Sequence, residues 1–464
     1  MGKKHRNRER LTPGIHWMFP RGALLLCLSM LLYQCSFYQD TELPERRMAT
    51  QIAIRWNQLA LDLERHTMGY RPPVSARMFA YVEMAAYEAS LPDMPDYVSV
   101  EKFVSGYQKP GDKFAKDQFS LPASINAAYA QILRHFFASA PKKILLEVDL
   151  LEQQLHQNLL NSTPETIIKN SVAFGQKVAD MVWEWSKTDK EGHDGHLYNY
   201  DHGYEPQTCE GCWQPTGEHA TPALLPYWGR VRPFLPETQA IDFKEPLTFD
   251  KNPGSDFYAE AMEVFSVSQP LSKENLWIAE YWSDDHPGLT SSPAARWISI
   301  ANQALEKSEA PFPLVIETYL KSAIALHDSG VSIWEAKYRF NVTRPETYIR
   351  KYIDPKWEPL HPTPSFPAYP SGHSAFGAAV AEVLSDALGA QFELADRTHE
   401  KRQEFAGRPR NYHSFDEMAR ENAASRVLLG VHYRMDCEEG MRLGKIIGLN
   451  AVALPLKRNE AAVY

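Results

Sequence analysis

Three short segments in the last third of the chain carry residue types suited to binding and transforming an anion. They lie at 337–345, 370–373 and 425–436. Arginine offers a planar fork of hydrogen-bond donors that matches anionic oxygens, and lysine adds a compact positive charge. Imidazoles close to such an anion could move protons or bond to it. The candidate residues, in chain order, are Lys337, Arg344, Ser371, Gly372, His373, Arg426 and His432.

The first two segments predict helix ends that would present these groups. A proline follows Arg344 and disfavours helical backbone there, so a helix carrying Lys337 in its last turn should end before Arg344. The Ala-rich stretch 374–384 predicts another helix, with Ser371 as its N-cap. Free amides in such a first turn can bind an anion. A capping serine without a catalytic role is the alternative, and the neighbouring His373 favours function.

The third segment predicts a helix. His432 and Asp436 are four residues apart and would share a helix face, so Asp436 could orient the imidazole. Arg426 and His432 are six residues apart and would fall on different faces. Either the length of the arginine covers the gap or the helix loosens near Gly430, and the sequence leaves both open.

The combined pattern resembles a known superfamily. Lys-x6-Arg-Pro, Pro-Ser-Gly-His and Ser-Arg-x5-His-x3-Asp are similar to the signature of type 2 phosphatidic acid phosphatases and vanadium-dependent haloperoxidases, and every signature residue is present. Trp334 and Phe366 resemble aromatic residues on the halide side of vanadium chloroperoxidase-type sites. They favour the haloperoxidase branch over the alternative that they are ordinary core aromatics.

The resemblance implies a cofactor, substrates and residue roles. Vanadate would be the cofactor, with His432 as its single covalent protein ligand and vanadium acting as a Lewis acid without redox change. Hydrogen peroxide would lose a proton to His373, Lys337 would polarise the bound peroxide, and a halide would be oxidised to hypohalous acid. An imidazole with an ordinary pKa of about 6.5 suits that proton transfer. The vanadate oxygens would be held by Lys337, Arg344, Ser371, the amide of Gly372, and Arg426.

A further segment, Tyr-Trp-Ser-Asp-Asp at 281–285, resembles one whose aspartate supports the active-site arginine and the acid–base histidine. The resemblance therefore implies a supporting role for Asp285, with Asp284 as its competitor. His286, beside them, is the one histidine outside the signature that merits attention.

Two other functions use the same residues. In a soluble acid phosphatase, His432 would be the nucleophile that forms a phosphohistidine, and His373 would protonate the leaving alkoxide. Membrane phosphatases of the superfamily have several spanning helices, whereas this chain has a mean hydropathy of −0.42 and no predicted span after residue 40. Small soluble acid phosphatases are much shorter than 464 residues. A non-enzymatic surface lipoprotein is the third alternative, and the complete signature argues against it.

Composition and the N-terminus set the wider frame. A net charge of −9 argues against nucleic acid as a partner. Basic residues at 3–10 followed by an apolar run at 22–33 predict a secretory signal. Cys35 ends a stretch similar to a bacterial lipobox, so we expect lipid attachment there, with simple cleavage of the signal or a retained signal anchor as the alternatives. The protein should then be exported, as a periplasmic or outer-membrane lipoprotein or a secreted protein. Its oligomeric state is left open.

The remaining cysteines fit an exported protein. Cys209 and Cys212 predict a short-loop disulfide rather than a zinc site, because no second cysteine pair accompanies them. Cys437 is predicted to be an unpaired, buried thiol.

The fold is predicted to be all-α, and the resemblance implies two helical bundles of the vanadium chloroperoxidase type, joined by long irregular loops such as 188–256. We predict a signal segment at 1–40, an N-terminal helical region at 41–240 and the domain with the active site at 241–464. Helical spacing of apolar residues predicts helices at 46–67, 73–90, 122–138, 142–161, 164–187, 276–282, 293–307, 313–337, 374–388 and 415–454.

Overall fold

Helices form along most stretches of the chain that repeat apolar residues at helical spacing. The computed structural model describes residues 43–216, 221–284, 286, 288–403 and 406–458. The α-helices are α1 (Pro44–His66), α2 (Pro72–Ser90), α3 (Leu121–Phe136), α4 (Lys142–Leu159), α5 (Glu165–Ser186), α6 (Lys190–His193), α7 (Asp256–Ser268), α8 (Lys273–Tyr281), α9 (Pro293–Ser308), α10 (Phe312–Phe340), α11 (Pro345–Tyr352), α12 (Gly372–Leu388), α13 (Phe415–Leu428) and α14 (Arg434–Val452).

Extended structure is scarce in the described part of the chain. Two short antiparallel pairs occur, β1 (Tyr200–Asp201) with β2 (Ala223–Leu224) and β3 (Leu394–Asp396) with β4 (Arg410–Tyr412). Short 3-10 helices occur at Leu91–Asp93, Val100–Lys102, Lys116–Gln118, Trp228–Arg230 and Pro236–Ala240.

Helix α10 is the central element of the fold. It is 29 residues long and buried along most of its length, which follows from its almost continuous apolar and small residues. On one side it packs against α2, whose 19 residues are all buried and which also contacts α3 and α5 of the first bundle. On the other side it packs against α12 and α14 of the second bundle. The last turn of α10 begins at the buried Lys337, one of the signature residues.

Helices α12 and α14 approach each other closely because of glycines on α14. A Cβ at Gly440, Gly444 or Gly448 would lie 2.2–2.5 Å from a backbone oxygen of Ser371, Ala375 or Ala379. Larger side chains would push the helices apart. This spacing sets the start of α12 against the start of α14, where the Ser371 amide donates to the Asp436 carbonyl at 2.8 Å.

The predicted fold class is confirmed, and the predicted helices are present with ends shifted by a few residues. One helix prediction is wrong, because 415–454 is broken into α13 and α14. Three helices were missed, one of which, α6, has only 4 residues and lies in the stretch predicted to be an irregular loop. The Ser255 side chain caps α7 by accepting from the Tyr258 amide, and α11 begins at Pro345, which we took only as the end of the preceding helix.

Other expectations stay open. The signal segment at 1–40, with Cys35, lies outside the described residues. From Pro44 onward the described residues belong to one compact unit, and the division at residue 240 stays a prediction. None of the described helices combines the length and the apolar character that a bilayer crossing requires.

Candidate active site

Lys337 lies in the last turn of α10, as predicted, and is fully buried. Its Nζ donates to three backbone carbonyls, those of Pro367 at 2.9 Å, Ala368 at 2.9 Å and Pro370 at 2.6 Å. These bonds fasten α10 to the loop that leads into α12. Burial, followed by the charge of Arg344, lowers the pKa of Lys337 well below its usual value.

Arg344 is the N-cap residue of α11 and is fully buried. Its Nε donates to the Phe366 carbonyl at 2.9 Å, and its Nη1 donates to the Val431 carbonyl at 2.7 Å. The Nη2 atom is buried without a hydrogen-bond partner. Burial lowers the pKa of Arg344 to about 10. An anion beside Nη2 would supply both the missing acceptor and the missing negative charge.

His432 is held by a carboxylate on one side and faces a cation on the other. Its Nδ1 lies 2.9 Å from Oδ2 of Asp436, which also accepts from the Tyr433 amide at 3.0 Å. Its Nε2 lies 3.2 Å from Nη1 of Arg344. The carboxylate places the ring proton on Nδ1, so Nε2 keeps the lone pair that a ligand or a nucleophile needs.

The break between α13 and α14 explains how Arg426 and His432 reach one site. Helix α13 ends at Leu428, Gly430 has a positive φ of 81°, and His432 lies in the loop before α14. The prediction that His432 and Asp436 share a face of one helix is therefore wrong. Asp436 lies in the first turn of α14 and still orients the imidazole, as predicted, across that break.

The second segment begins α12 as predicted. Ser371 is the N-cap, and its Oγ accepts from the Ser374 amide at 3.4 Å and from the Ser374 hydroxyl at 3.0 Å. Gly372 and His373 line the cavity described below. The Nε2 atom of His373 is buried and has no hydrogen-bond partner.

His373 does not have the ordinary pKa that we expected. Burial, followed by the charges of Arg426, Lys337 and Arg344, lowers its pKa well below the usual value. The ring is therefore neutral in the anion-free protein. A neutral ring can accept a proton, and an anion that offsets the three cations would favour the protonated form.

A cavity of about 310 Å³ is lined by residues of the second and third signature segments. Its lining includes His432, His373, Arg426 and the two predicted aromatics, Trp334 and Phe366. The ring centroids of these two aromatics lie 5.1 Å apart, and both side chains are buried. The Phe366 ring lies beneath the cations, with its centroid 5.0 Å from Nζ of Lys337 and 4.9 Å from Cζ of Arg344.

The charges of the site suit an oxyanion. Three buried cations surround the histidines, and the buried carboxylate in contact with His432 is Asp436, whose pKa burial raises to about 7. Among the described residues, no group of three or more His, Cys, Asp or Glu side chains could hold a bare metal ion. Arg344 Nη2 and His373 Nε2 both lack partners. These donors and this charge fit vanadate or phosphate and not a metal cation coordinated by protein alone.

Of the two candidates for the supporting aspartate, the structure describes Asp284. Asp285 lies outside the described residues, so its predicted role stays a prediction. Asp284 is buried, lines the cavity, and lies 3.8 Å from Nε2 of His399. Burial raises its pKa to about 6, although Arg296 and Arg426 act in the opposite direction.

Some lining residues were not predicted. His361, Arg71 and Tyr200 line the same cavity, as does His286, which the sequence analysis had singled out. His361 comes from a Pro-rich loop that follows α11, and no pattern in the sequence indicates that it faces the site.

The predicted disulfide is present and braces the site. Cys209 is bonded to Cys212. The Gly211 carbonyl accepts from the Thr343 amide at 2.9 Å, and the Trp213 amide donates to the Asn341 carbonyl at 2.8 Å. The disulfide loop is thus paired with the residues just before Arg344. Cys437 is a buried free thiol, as predicted.

Comparison with known proteins agrees with this geometry. The family model of the VCPO second helical-bundle domain matches residues 317–458. Vanadium chloroperoxidase of Curvularia inaequalis is 23% identical over 481 residues, covering 83% of this chain and 79% of that protein. The crystal structure of the first bacterial vanadium-dependent iodoperoxidase is 27% identical, with a TM-score of 0.77 over 87% of this chain and 96% of that one.

A more distant structure supports the fold alone. The holo form of a bacterial vanadium-dependent chloroperoxidase is 18% identical, with a TM-score of 0.63, and covers 82% of this chain and 91% of that one. The matched domain includes all three signature segments, whereas the lining of the cavity also takes Arg71, Tyr200 and Ser283 from earlier in the chain. Residues 317–458 thus match the second helical-bundle domain of the VCPO family, and the chain shares the fold of the vanadium haloperoxidases.

Proposed function

We propose that the protein is a vanadate-dependent haloperoxidase that oxidises a halide with hydrogen peroxide to hypohalous acid. The observation that carries the proposal is His432, whose Nε2 faces the cationic site while Asp436 fixes Nδ1 at 2.9 Å. One imidazole among buried cations is a suitable holder for an oxyanion cofactor. The bacterial iodoperoxidase with the same fold lends support.

Several residues of the site would bind vanadate together. His432 would hold vanadate through Nε2, and Arg344 would donate to it from the unpartnered Nη2. Arg426 and the amides at the start of α12, that of Gly372 among them, would contact its remaining oxygens. Bound vanadate would supply a Lewis acid that activates hydrogen peroxide. The cavity of about 310 Å³ has room for peroxide and a halide beside it.

His373 would act as the acid–base group. Its neutral Nε2 can take a proton from hydrogen peroxide and return it to the departing oxygen. The ring is positioned through the backbone, since the His373 carbonyl accepts from the Asn422 side chain at 3.0 Å. Lys337 would act mainly as a fixed charge, because its ammonium already donates to three carbonyls.

The aromatic pair supports the halide side of the proposal. Trp334 and Phe366 give the cavity an apolar wall next to cations, and a large, weakly hydrated anion is accommodated by such a wall. The indole Nε1 of Trp334 donates to the Leu224 carbonyl at 3.3 Å, which fixes the ring in place.

Acid phosphatase is the second candidate. The unpartnered atoms, Nη2 of Arg344 and Nε2 of His373, would contact a phosphoester, with Nε2 of His432 as the nucleophile. The two functions would use the same atoms of the protein to bind an oxyanion. They differ in the substrate, which is a phosphoester for the phosphatase and hydrogen peroxide with a halide for the haloperoxidase.

The test is a pair of assays on the purified protein with and without orthovanadate. We expect vanadate-dependent oxidation of at least one of chloride, bromide and iodide by peroxide. His432→Ala should abolish it, and His373→Ala should reduce it about 100-fold or more. His135→Ala is the matched control, since this histidine contacts Asp180 on the surface at 2.7 Å. Phosphoester hydrolysis without halide turnover would overturn the proposal in favour of the phosphatase.

We also propose that the protein acts after export from the cytoplasm, with lipid attachment at Cys35. The Cys209–Cys212 disulfide supports an oxidising compartment. Mass spectrometry of the protein purified from its native membrane fraction would test the lipid, and an unmodified N-terminus beginning before Cys35 would contradict it.

A further inference from the structure

A second and larger cavity adjoins the active-site cavity. Its volume is about 660 Å³, and its lining includes Glu280 and Arg402. Ser283, His286 and His361 line both cavities. These three residues therefore form the wall between the signature histidines and the outer space.

The wall residues form a chain of proton-exchanging groups. Oγ of Ser283 lies 3.0 Å from Nε2 of His286. The rings of His286 and His361 lie 5.1 Å apart, centroid to centroid, at an angle of 63°. Nε2 of His361 lies 3.1 Å from Oε2 of Glu280. One water molecule suffices to join two imidazoles at such a distance.

The proposed reaction requires a source of protons. One halide, one hydrogen peroxide and one proton give one hypohalous acid and one water, so each turnover takes up a proton. The halide loses two electrons, and the breaking O–O bond of peroxide accepts them. His373 cannot store this proton in the anion-free site, since it is surrounded by Arg426, Lys337 and Arg344.

We propose that His286, His361 and Glu280 relay protons from the outer cavity to the active-site cavity. This inference rests on the proposed function. The inner cavity of about 310 Å³ holds on the order of ten water molecules, enough to carry the proton from the wall to His373.

The charges around the wall are compatible with this transfer. His286 faces His361, Arg402, Glu280 and Arg426, and burial is the main cause that lowers its pKa. The hydrogen bond from His361 is the main cause that lowers the pKa of Glu280, so this carboxylate is ionised at neutral pH and orients the His361 ring. The relay therefore begins at a carboxylate facing the outer cavity and ends at a ring that readily gives up its proton.

The experiment compares His361→Gln and His286→Gln with the wild-type protein. At pH 7 we expect kcat for halide oxidation to fall about tenfold, with an unchanged KM for halide. The loss should shrink at lower pH, and added imidazole should restore the rate by entering the outer cavity. Orthovanadate affinity, measured by calorimetry, should stay at the wild-type value. Glu280→Gln should lower kcat for halide oxidation by a smaller factor. His135→Gln, which alters a surface His–Asp pair, is the control and should leave kcat unchanged.

Three outcomes overturn the relay. Wild-type rates in the variants at every pH, with no response to imidazole, leave the proposed function standing without the relay. A parallel loss of vanadate affinity and activity, without rescue, assigns the two histidines to structural support of the site. Absence of halide turnover in the wild-type protein removes the proposed function, and the relay with it.

Discussion

Arg344 combines a structural and a binding role in one side chain. Its Nε and Nη1 hold the carbonyls of Phe366 and Val431, which belong to the loops that enter α12 and α14. Its Nη2 remains buried without a partner. Five donors in a rigid fork allow this division, and a lysine ammonium with three donors on one atom does not.

We therefore expect Arg344→Lys to weaken orthovanadate binding by about 10- to 100-fold, although the charge is kept. The reason is that one or two charge-assisted hydrogen bonds, worth about 1.5–3 kcal/mol each, are lost. Calorimetric titration of the variant with orthovanadate measures this effect. Arg339→Lys is the control, because Arg339 lies in the last turn of α10, near Arg344 in the sequence, and has an exposed side chain. Equal affinities in all three proteins would show that charge alone, without the fork, binds the anion.

The sequence could name the candidate site residues, but it could not predict their ionisation states. Among the candidates, the structure places Nη1 of Arg344 3.2 Å from Nε2 of His432. The lowered pKa of His373 depends on burial among three cations from the two other signature segments, and spacing carries no information on that burial. The proximity of Asp284 to Arg426 depends likewise on packing between distant elements.

At the scale of elements, the break between α13 and α14 decides the geometry of the site. The apolar spacing of residues 415–454 continues through Gly430, so periodicity predicts one helix. The structure ends α13 at Leu428 because Gly430 takes a positive φ of 81° and packs against Trp357. A single glycine in a helical pattern is an ambiguous signal, and only the position of Trp357, far away in the sequence, resolves it.

Gly430→Ala should destabilise the protein and also displace His432. A Cβ at this position would lie 2.9 Å from the Trp357 ring and 3.2 Å from Cα of Pro359. We expect the free energy of unfolding to fall by about 2–4 kcal/mol, because backbone strain and overpacking act together. We also expect a reduced affinity for orthovanadate. Thermal unfolding and calorimetric titration measure the two effects.

Gly389→Ala provides the matched control. Gly389 also has a positive φ, of 99°, but a Cβ there would have no neighbour within 4 Å. We expect backbone strain alone to lower the free energy of unfolding of this variant, by about 1–3 kcal/mol. Its affinity for orthovanadate should equal that of the wild-type protein. A Gly430→Ala variant that binds orthovanadate as tightly as Gly389→Ala would contradict the view that the break positions His432.

At the scale of the whole molecule, α10 joins the two bundles into one continuous core. This core also buries acidic side chains that lie outside the candidate active site. Glu83 on α2 is fully buried, and its Oε2 accepts from the Tyr129 hydroxyl at 2.8 Å. Burial raises its pKa to about 8. The helical pattern of α2 could be predicted from the sequence. The complete burial of its polar positions could not, because it results from packing between α3 and α10.

This buried acid makes stability depend on pH. The folded protein keeps the proton of Glu83 up to about pH 8, whereas the unfolded chain releases it near the ordinary value of 4.5. The folded state thus binds more protons in this interval, and stability falls as pH rises through it. Glu83→Gln keeps a hydrogen-bonding group of similar shape and removes the titration. We expect its Tm to fall less than that of the wild-type protein between about pH 5 and pH 8. Glu147→Gln, at an exposed position on α4, is the control and should keep the wild-type dependence of Tm on pH. The same dependence of Tm on pH in all three proteins would mean that Glu83 is ionised in the folded state.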